Sequence, residues 1–389
     1  MKENHVTILG GGFAGVEAAI YLRKKGIDVT LISDRDYLFI YPISIWIPVS
    51  KLSFDDAKIP LKDLQKVHGF ELIIDKVKSI NKATNTVQLE GQEIKYNYLV
   101  VAIGANKLKL EGIENTMSIC GAPEQSLLMK EKFDALIKKG SGKIALGYGG
   151  NPKDKSGVRG GPAFEILFNF LNVLKKKKIR DNYEITFFAP MAELGKRMGK
   201  SGFTMLNKLF EKEKINKRVG KKIKSFTSNQ VVFEDDSILE SDYIMYISAG
   251  TGHSVLTNSD LPLSESGFIK IDDNCKVDGT QNIYAIGDIA KVEGPDWVAK
   301  QGHIAEVMAR NTAYNIHQQI NNSDKRKGYK DHLNILCVMD TGNGAAFTYR
   351  KDAKDFIIPL PIVGHWLKQG WGFYYKKSKL NKFPRIPGM

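Results

Sequence analysis

The chain has 389 residues, 42% of them hydrophobic, and a formal charge of +14; that is enough apolar content for two domains of ordinary size. A positive balance points to anionic ligands, an anionic membrane surface or nucleic acid. The lysine clusters at 175–178, 217–224 and 325–330 do not interleave aromatics in an RNA-binding pattern, and no helix-turn-helix or zinc-finger spacing occurs; these clusters read as solvated faces, and no nucleic acid partner is expected. The three cysteines, Cys120, Cys275 and Cys337, include no Cys-x-x-Cys pair, which excludes a secreted disulfide framework and a structural zinc site.

The first predicted strand, "HVTILG", follows the N-terminus almost directly, so no secretory signal is expected. "VTILGGGFAGVEAA" then sets Gly10, Gly12 and Gly15 between that strand and a helix running to about Lys25. Gly10 permits a tight turn, Gly12 lets backbone approach a pyrophosphate, and Gly15 lets helix and strand pack closely. The helix N-terminus would face the phosphates with unpaired N–H groups. A second strand, "DVTLIS", ends at Asp34, where an acid accepts hydrogen bonds from ribose hydroxyls; Ser33, one residue earlier, shares the candidacy. Further on, "YLVVAIGAN" (98–106) and "NIYAIGDIA" (282–290) are strands ending in Ala-Ile-Gly, the second followed by Asp288. Between them lies another βα-rich region: "KIALGY", a helix from Ala163 to Lys177, "EITFFA" and "YIMYISAG". The two regions are consistent with an old duplication. A helix from about Gln301 to Ile320 and an aromatic, basic, Gly- and Pro-rich tail from about His332 complete the chain.

These motifs together resemble the two-dinucleotide-domain flavoproteins, in which the first glycine fingerprint binds the ADP part of FAD. The resemblance covers essentially the whole chain. It implies an α/β fold with two Rossmann-like domains: a discontinuous FAD domain at 1–112 plus 267–330, a second domain at 113–266, and a tail segment at 331–389 facing a membrane. It implies FAD contacts from Gly10, Gly12, Phe13, Ala14, Gly15, Ser33, Asp34, Arg35, Pro42, Ala102, Gly104, Gly287, Asp288, Lys300, Gln301 and Gly302. In the NADH-using members the second domain repeats the fingerprint and ends its second strand in an acid. Here Gly147-x-Gly149 lacks the third glycine at the needed spacing, and "EITFFAP" ends in Ala189-Pro190. Both parts of NADH recognition are degraded.

"GGPAFE" (160–165) is similar to the Gly-Pro-Ala-aromatic-Glu stretch of sulfide:quinone oxidoreductases and flavocytochrome c sulfide dehydrogenases. "SDRDYLFIYPISIWIPV" (33–49) resembles their flavin-contacting segment, "SICGAPEQS" (118–126) the segment whose cysteine can bond to the FAD methyl, and "LCVMDTGNGAAF" (336–347) the segment carrying a redox cysteine beside the flavin. The resemblance therefore implies Cys120, Cys337, Glu165 and Lys300 as catalytic candidates, with a small inorganic sulfur donor and a quinone as substrates; it is compatible with a homo-oligomer. It departs at one place: the second redox cysteine, three residues before the Pro, is Arg159 here. One cysteine cannot form the family's disulfide without its partner; Arg159 is then either a bidentate ligand for an anionic donor or a surface loop residue.

Glu165 reads as a proton carrier near flavin and quinone or as a helix-start acid complementing the dipole. Lys300 is expected at the flavin pyrimidine edge, where it would stabilise reduced flavin. Cys275 reads as a packing cysteine. His303 and His365 have no metal-like cluster around them, and no metal is expected. From Phe356 onward there is no acid, while Lys368, Lys376, Lys377, Lys379, Lys382 and Arg385 alternate with Trp366, Leu367, Trp371, Phe373, Tyr374 and Tyr375. That composition suits a segment in the headgroup region of anionic lipid, so a peripheral membrane location is expected; no 18-residue apolar run is present to span a bilayer. Two rival readings are a type II NADH:quinone dehydrogenase-like enzyme and a flavoprotein subunit that docks an electron-transfer partner such as a cytochrome.

Overall fold

The computed structural model describes residues 4–385. Its first sheet is parallel, with strands in the spatial order 283–285, 98–101, 5–9, 28–33 and 71–74. The strand Ile283–Ala285 thus returns from far along the chain to pair with Tyr98–Val101. Val6, Ile8, Val29, Leu31, Leu99 and Tyr284 are buried in it, as expected when both faces of a parallel sheet are covered. Helix α1 (Phe13–Arg23) covers one face; it is apolar almost all round, and Ala14, Val16, Ala18, Ile20 and Leu22 are buried.

The second sheet is parallel too, in the order 216–219, 183–189, 142–148 and 243–247. Helix α2 (Gly161–Lys176) packs on it through an aromatic core in which Phe164 stacks on Phe187 at 4.8 Å between ring centroids. Pro162 sits in its first turn, where a missing N–H costs nothing. Each parallel sheet also carries a three-stranded antiparallel meander, at 77–95 and at 223–240.

Helix α3 (Gly302–Ile320) packs beside α1. The chain then forms a three-stranded antiparallel sheet, Ile335–Asp340, Gly344–Lys351 and Lys354–Pro361, and ends in helix α4 (Val363–Lys379). Close approach of α4 to Tyr41–Ser44 depends on Gly372, since a Cβ there would lie 2.6 Å from Ile43 Cγ2. Among the described residues no helix is long and apolar enough to cross a membrane.

Candidate active site

The strand ends of both sheets, the 149–160 loop and α4 enclose one cleft of about 2070 Å³. At one end its wall is Gly10, Gly12, Phe13 and Ala14, with Asp34, Arg35 and Pro42 beside them. Gly10 has φ +111°, and its N–H donates to Ile32 O at 2.7 Å; this is the tight turn. Gly12 caps α1 without a side-chain hydrogen bond, and a Cβ there would meet nothing within 4 Å. Uncapped helix amides therefore face an open cradle, which fits the pyrophosphate of a dinucleotide such as FAD. Two predicted contacts lie elsewhere. Gly15 is behind the wall, where a Cβ would come within 3.4 Å of Ile8 Cγ2; it serves helix–strand packing. Ser33 is buried outside the cleft and its hydroxyl is committed to a local turn, donating to Arg35 O at 2.6 Å and accepting from Arg35 N–H at 3.2 Å, so it has no free group for a ribose. Asp34 is exposed, 3.7 Å from Arg35.

Along the middle of the cleft lie Ala102 and Gly104, Gly287 and Asp288, then Lys300, Gln301 and Gly302 at the start of α3. Lys300 differs from expectation. It is buried, with Nζ donating to Asp288 O at 2.7 Å and Ala290 O at 2.5 Å and lying 3.5 Å from the Phe268 ring centroid. Burial pushes its pKa well below the usual lysine range, Arg159 and Lys291 adding to the effect against Asp154. Its amine holds the 288–290 turn rather than pointing at a ligand edge.

The loop that interrupts the second glycine turn is stitched in place by Asp154. This buried carboxylate accepts from Ser156 N at 2.9 Å, Ser156 Oγ at 2.6 Å and Lys291 Nζ at 2.8 Å. Burial pushes it up, but those bonds outweigh burial and hold it below the usual carboxylate range. Asn151 adds a bond to Gly250 O at 2.9 Å. So anchored, the loop delivers Arg159 into the cleft, where its guanidinium pairs with the Asp288 carboxylate. Arg159 is therefore a cleft residue and not a solvated loop side chain.

Cys120, Glu165 and Cys337 also line the cleft, Cys120 next to Gly121, whose carbonyl accepts from the Tyr41 hydroxyl at 3.0 Å. Burial pushes the Cys337 thiol up to about 12, and Glu165 adds to this, so it is a protonated thiol at neutral pH. Glu165, on the second turn of α2, pairs with Lys368 of α4, both buried, and accepts from Asp340 N at 2.8 Å. Burial pushes its carboxyl up against the pull of Lys368. Asp340, also buried, accepts from Asn169 Nδ2 at 2.8 Å and is bonded to His365 Nδ1 at 2.5 Å; those bonds hold it below the usual range despite burial. Lys368, Asp340 and His365 were not among the predicted site residues. Their one legible signal is that His365 and Lys368 stand three apart and so share a helix face. Cys275 is buried in the core.

The tail divides into two faces. Ile362, Val363, Trp366, Leu367 and Phe373 are exposed. Three residues expected at that surface turn inward instead. Lys368 meets Glu165, Tyr375 stacks on Phe13 at 5.0 Å, and Lys379 is buried between Glu17 of α1 and Glu306 of α3, 2.6 Å from the latter. Arg385 joins them, 2.6 Å from Glu17. An acid buried on α1 and one on α3 require cations, and the tail supplies them.

Residues 4–310 match the family model described as pyridine nucleotide-disulphide oxidoreductase. The sulfide-quinone reductase of Aquifex aeolicus (strain VF5) is 30% identical over 96% of this chain and 89% of its own length. The crystal structure of the sulfide:quinone oxidoreductase from Aquifex aeolicus superposes with a TM-score of 0.87 at 24% identity, covering 97% of this chain and 92% of that one. NDH2 from Plasmodium falciparum in complex with NADH superposes with a TM-score of 0.71 at 15% identity, covering 100% of both chains, a likeness of fold.

Proposed function

The chain belongs to the pyridine nucleotide-disulphide oxidoreductase family, within its sulfide:quinone oxidoreductase group, and from that premise we propose that it passes electrons from a reduced inorganic sulfur donor, sulfide or polysulfide, through FAD to a membrane quinone. The observation that carries this reading is the single cleft joining the open glycine cradle to Cys337 and to the Glu165–Lys368 pair under the tail. FAD, when bound, supplies the two-electron relay between donor and quinone. We take residues 1–112 with 267–330 to be its domain; the strand 283–285, lying in the first sheet, supports that division.

Hydrosulfide gives up two electrons and its proton on going to zero-valent sulfur; a quinone takes two electrons and two protons, one of them drawn from solvent. Gly12 and the α1 amides would hold the cofactor's phosphates, and Asp288, which pairs with Arg159, would meet its ribityl hydroxyls. Cys337 lies in the same cleft as a thiol that burial keeps protonated, with the charge of Glu165 felt at its sulfur. Glu165 and Lys368 also hold protons beside the apolar face of α4, where Leu367 and Trp371 line the cleft, a placement suited to a quinone. The exposed apolar residues of α4 with Lys376 and Lys377 support peripheral attachment to an anionic bilayer.

The NADH reading retains one specific observation: Glu193, a few residues beyond the strand 183–189, lines the cleft, though it is paired with Lys196. The deciding experiment is anaerobic rapid mixing of the FAD-loaded protein with sulfide, and separately with NADH, followed by a short-chain quinone. Sulfide should bleach the flavin and quinone restore it; bleaching by NADH and not by sulfide refutes the proposal.

A further inference from the structure

Glu165 and Lys368 are not an isolated pair. Asp340 closes the strand 335–340 directly against them: its backbone N–H donates to Glu165 Oε1 at 2.8 Å, the same oxygen that meets Lys368. The Asp340 carboxylate is fully buried and held on both oxygens. Oδ1 accepts from Gly342 N at 2.8 Å and from Asn169 Nδ2 at 2.8 Å, and that amide also donates to Glu165 O at 2.9 Å. Oδ2 is bonded to His365 Nδ1 at 2.5 Å. His365 and Lys368 stand about one turn apart on α4, so one helix face sets two bases against two acids. Cys337, on the strand of Asp340, and Lys51 also face this cluster. Lys51 Nζ donates to Gly342 O at 2.7 Å and Asn169 Oδ1 at 3.4 Å, so its bonds reach Asp340 through neutral groups.

The four groups differ in their access to water. The Glu165 and Lys368 side chains are 6% exposed and that of Asp340 0%, but that of His365 is 16% exposed, with its ring against the edge of Trp46. Histidine is the side chain that changes charge across neutral pH. Gln369 Nε2 lies 3.2 Å from His365 Nε2. An amide donating there leaves the ring proton on Nδ1, toward Asp340, and the amide oxygen can turn to receive a second ring proton on Nε2. A carboxylate buried beside Glu165 repels its charge and keeps its proton on, and a cation on His365 cancels that repulsion.

Resting on the quinone reading above, we propose that Asp340 and His365 are positioning residues for the proton that Glu165 carries to the quinone: the charge on His365 decides, through Asp340, whether Glu165 holds or gives up that proton. α4 then acts twice at the site. Lys368 pairs with Glu165 directly, and His365 governs it one residue removed.

The test uses the oxidised, FAD-loaded full chain and reads Glu165 itself, by infrared difference spectroscopy between about pH 5 and 9. The protonated-carboxyl band of Glu165 is the one that Glu165→Gln removes. Asp340→Asn takes away the repelling charge and should move the midpoint of that band down by about one pH unit. His365→Gln takes away the cancelling charge and should move it up by a similar amount. The double variant should follow Asp340→Asn, because the histidine acts only through the acid. A merely structural role does not give opposite shifts, since loosening the site admits water and moves both midpoints the same way. His365→Gln, at the partly exposed rim, decides the sign by itself where Asp340→Asn fails to fold. A midpoint that stays or falls in His365→Gln overturns the proposal, and so does a Glu165 band that does not titrate in this range. Quinone competence is read separately, on flavin reduced photochemically and mixed with a short-chain quinone. Reoxidation should slow above the Glu165 midpoint, and the point of slowing should move with the band in each variant. Band shifts in a protein that quinone does not reoxidise sink the acceptor reading and leave the coupling standing; reoxidation with bands that do not move does the reverse.

Discussion

After His5–Leu9 the chain turns through Gly10 and Gly12 straight into α1, whereas after Gly142–Tyr148 it detours through residues 149–160 before entering α2. Both strands are central in parallel sheets, and both helices start without a side-chain cap. The first turn leaves the helix amides over an open cradle shaped by glycine. In the second, the detour is tied to the first sheet's side of the molecule by Asp154 and Lys291 and pairs its guanidinium with Asp288. One scaffold thus serves two ends: the direct turn makes room for a dinucleotide phosphate, and the interrupted one carries a guanidinium into the cleft and onto Asp288.

The contrast can be broken by mutation. Gly10→Val should have the largest effect, lowering FAD affinity by roughly 100-fold, equivalent to about 3 kcal/mol. The left-handed φ of +111° disfavours valine, and a Cβ would approach the Ala102 carbonyl carbon to 2.7 Å; reconstitution of the apoprotein with FAD measures it. Glu165→Gln probes the helix that the second turn leads into. Flavin reoxidation by quinone should slow about 100-fold, the usual scale for losing a positioned proton carrier. A stopped-flow rate within about a factor of two of wild type would remove Glu165 from the proton path.

Asp154→Ala should release the detour and cost about 2 kcal/mol in denaturant unfolding at neutral pH, the scale of losing a buried, bonded carboxylate next to a partly exposed lysine. Asp154 is held below its ordinary value, so its contribution is present above the unfolded-state pKa and is lost as pH falls through the folded-state pKa. The gap between wild type and variant should therefore close below about pH 4; an unchanged gap at pH 3 would mean the loop is held some other way. Gly150→Ala should do least. Its Cβ would meet the flexible end of Met191 at 3.3 Å, so stability should change by under about 1 kcal/mol and FAD affinity not at all. A loss of FAD in that variant would show that the second turn binds dinucleotide after all.

Much of this was legible in the primary structure because it is local. The strand–glycine–helix spacing at 5–25, the Ala-Ile-Gly strand ends and the Gly-Gly-Pro opening of α2 are set by turn sterics and helix-end chemistry within a few residues. So is the break in the second fingerprint. The buried ionic contacts were not legible. Lys368 and Lys379 belong to a basic, aromatic run that reads as lipid-facing, but Glu165, Glu17 and Glu306 lie far away in sequence and demand cations once buried. Ser33 and Lys300 look like ligand contacts by position and are claimed instead by neighbouring backbone groups.

Residue order was therefore enough for the α/β architecture, the dinucleotide cradle and the absence of a cysteine at 159. Which charges meet was settled in three dimensions: Arg159 with Asp288, Glu165 with Lys368, and Lys379 with Glu17 and Glu306. A turn answers to its nearest neighbours, but the cost of an unpaired buried charge depends on whichever element folding brings beside it.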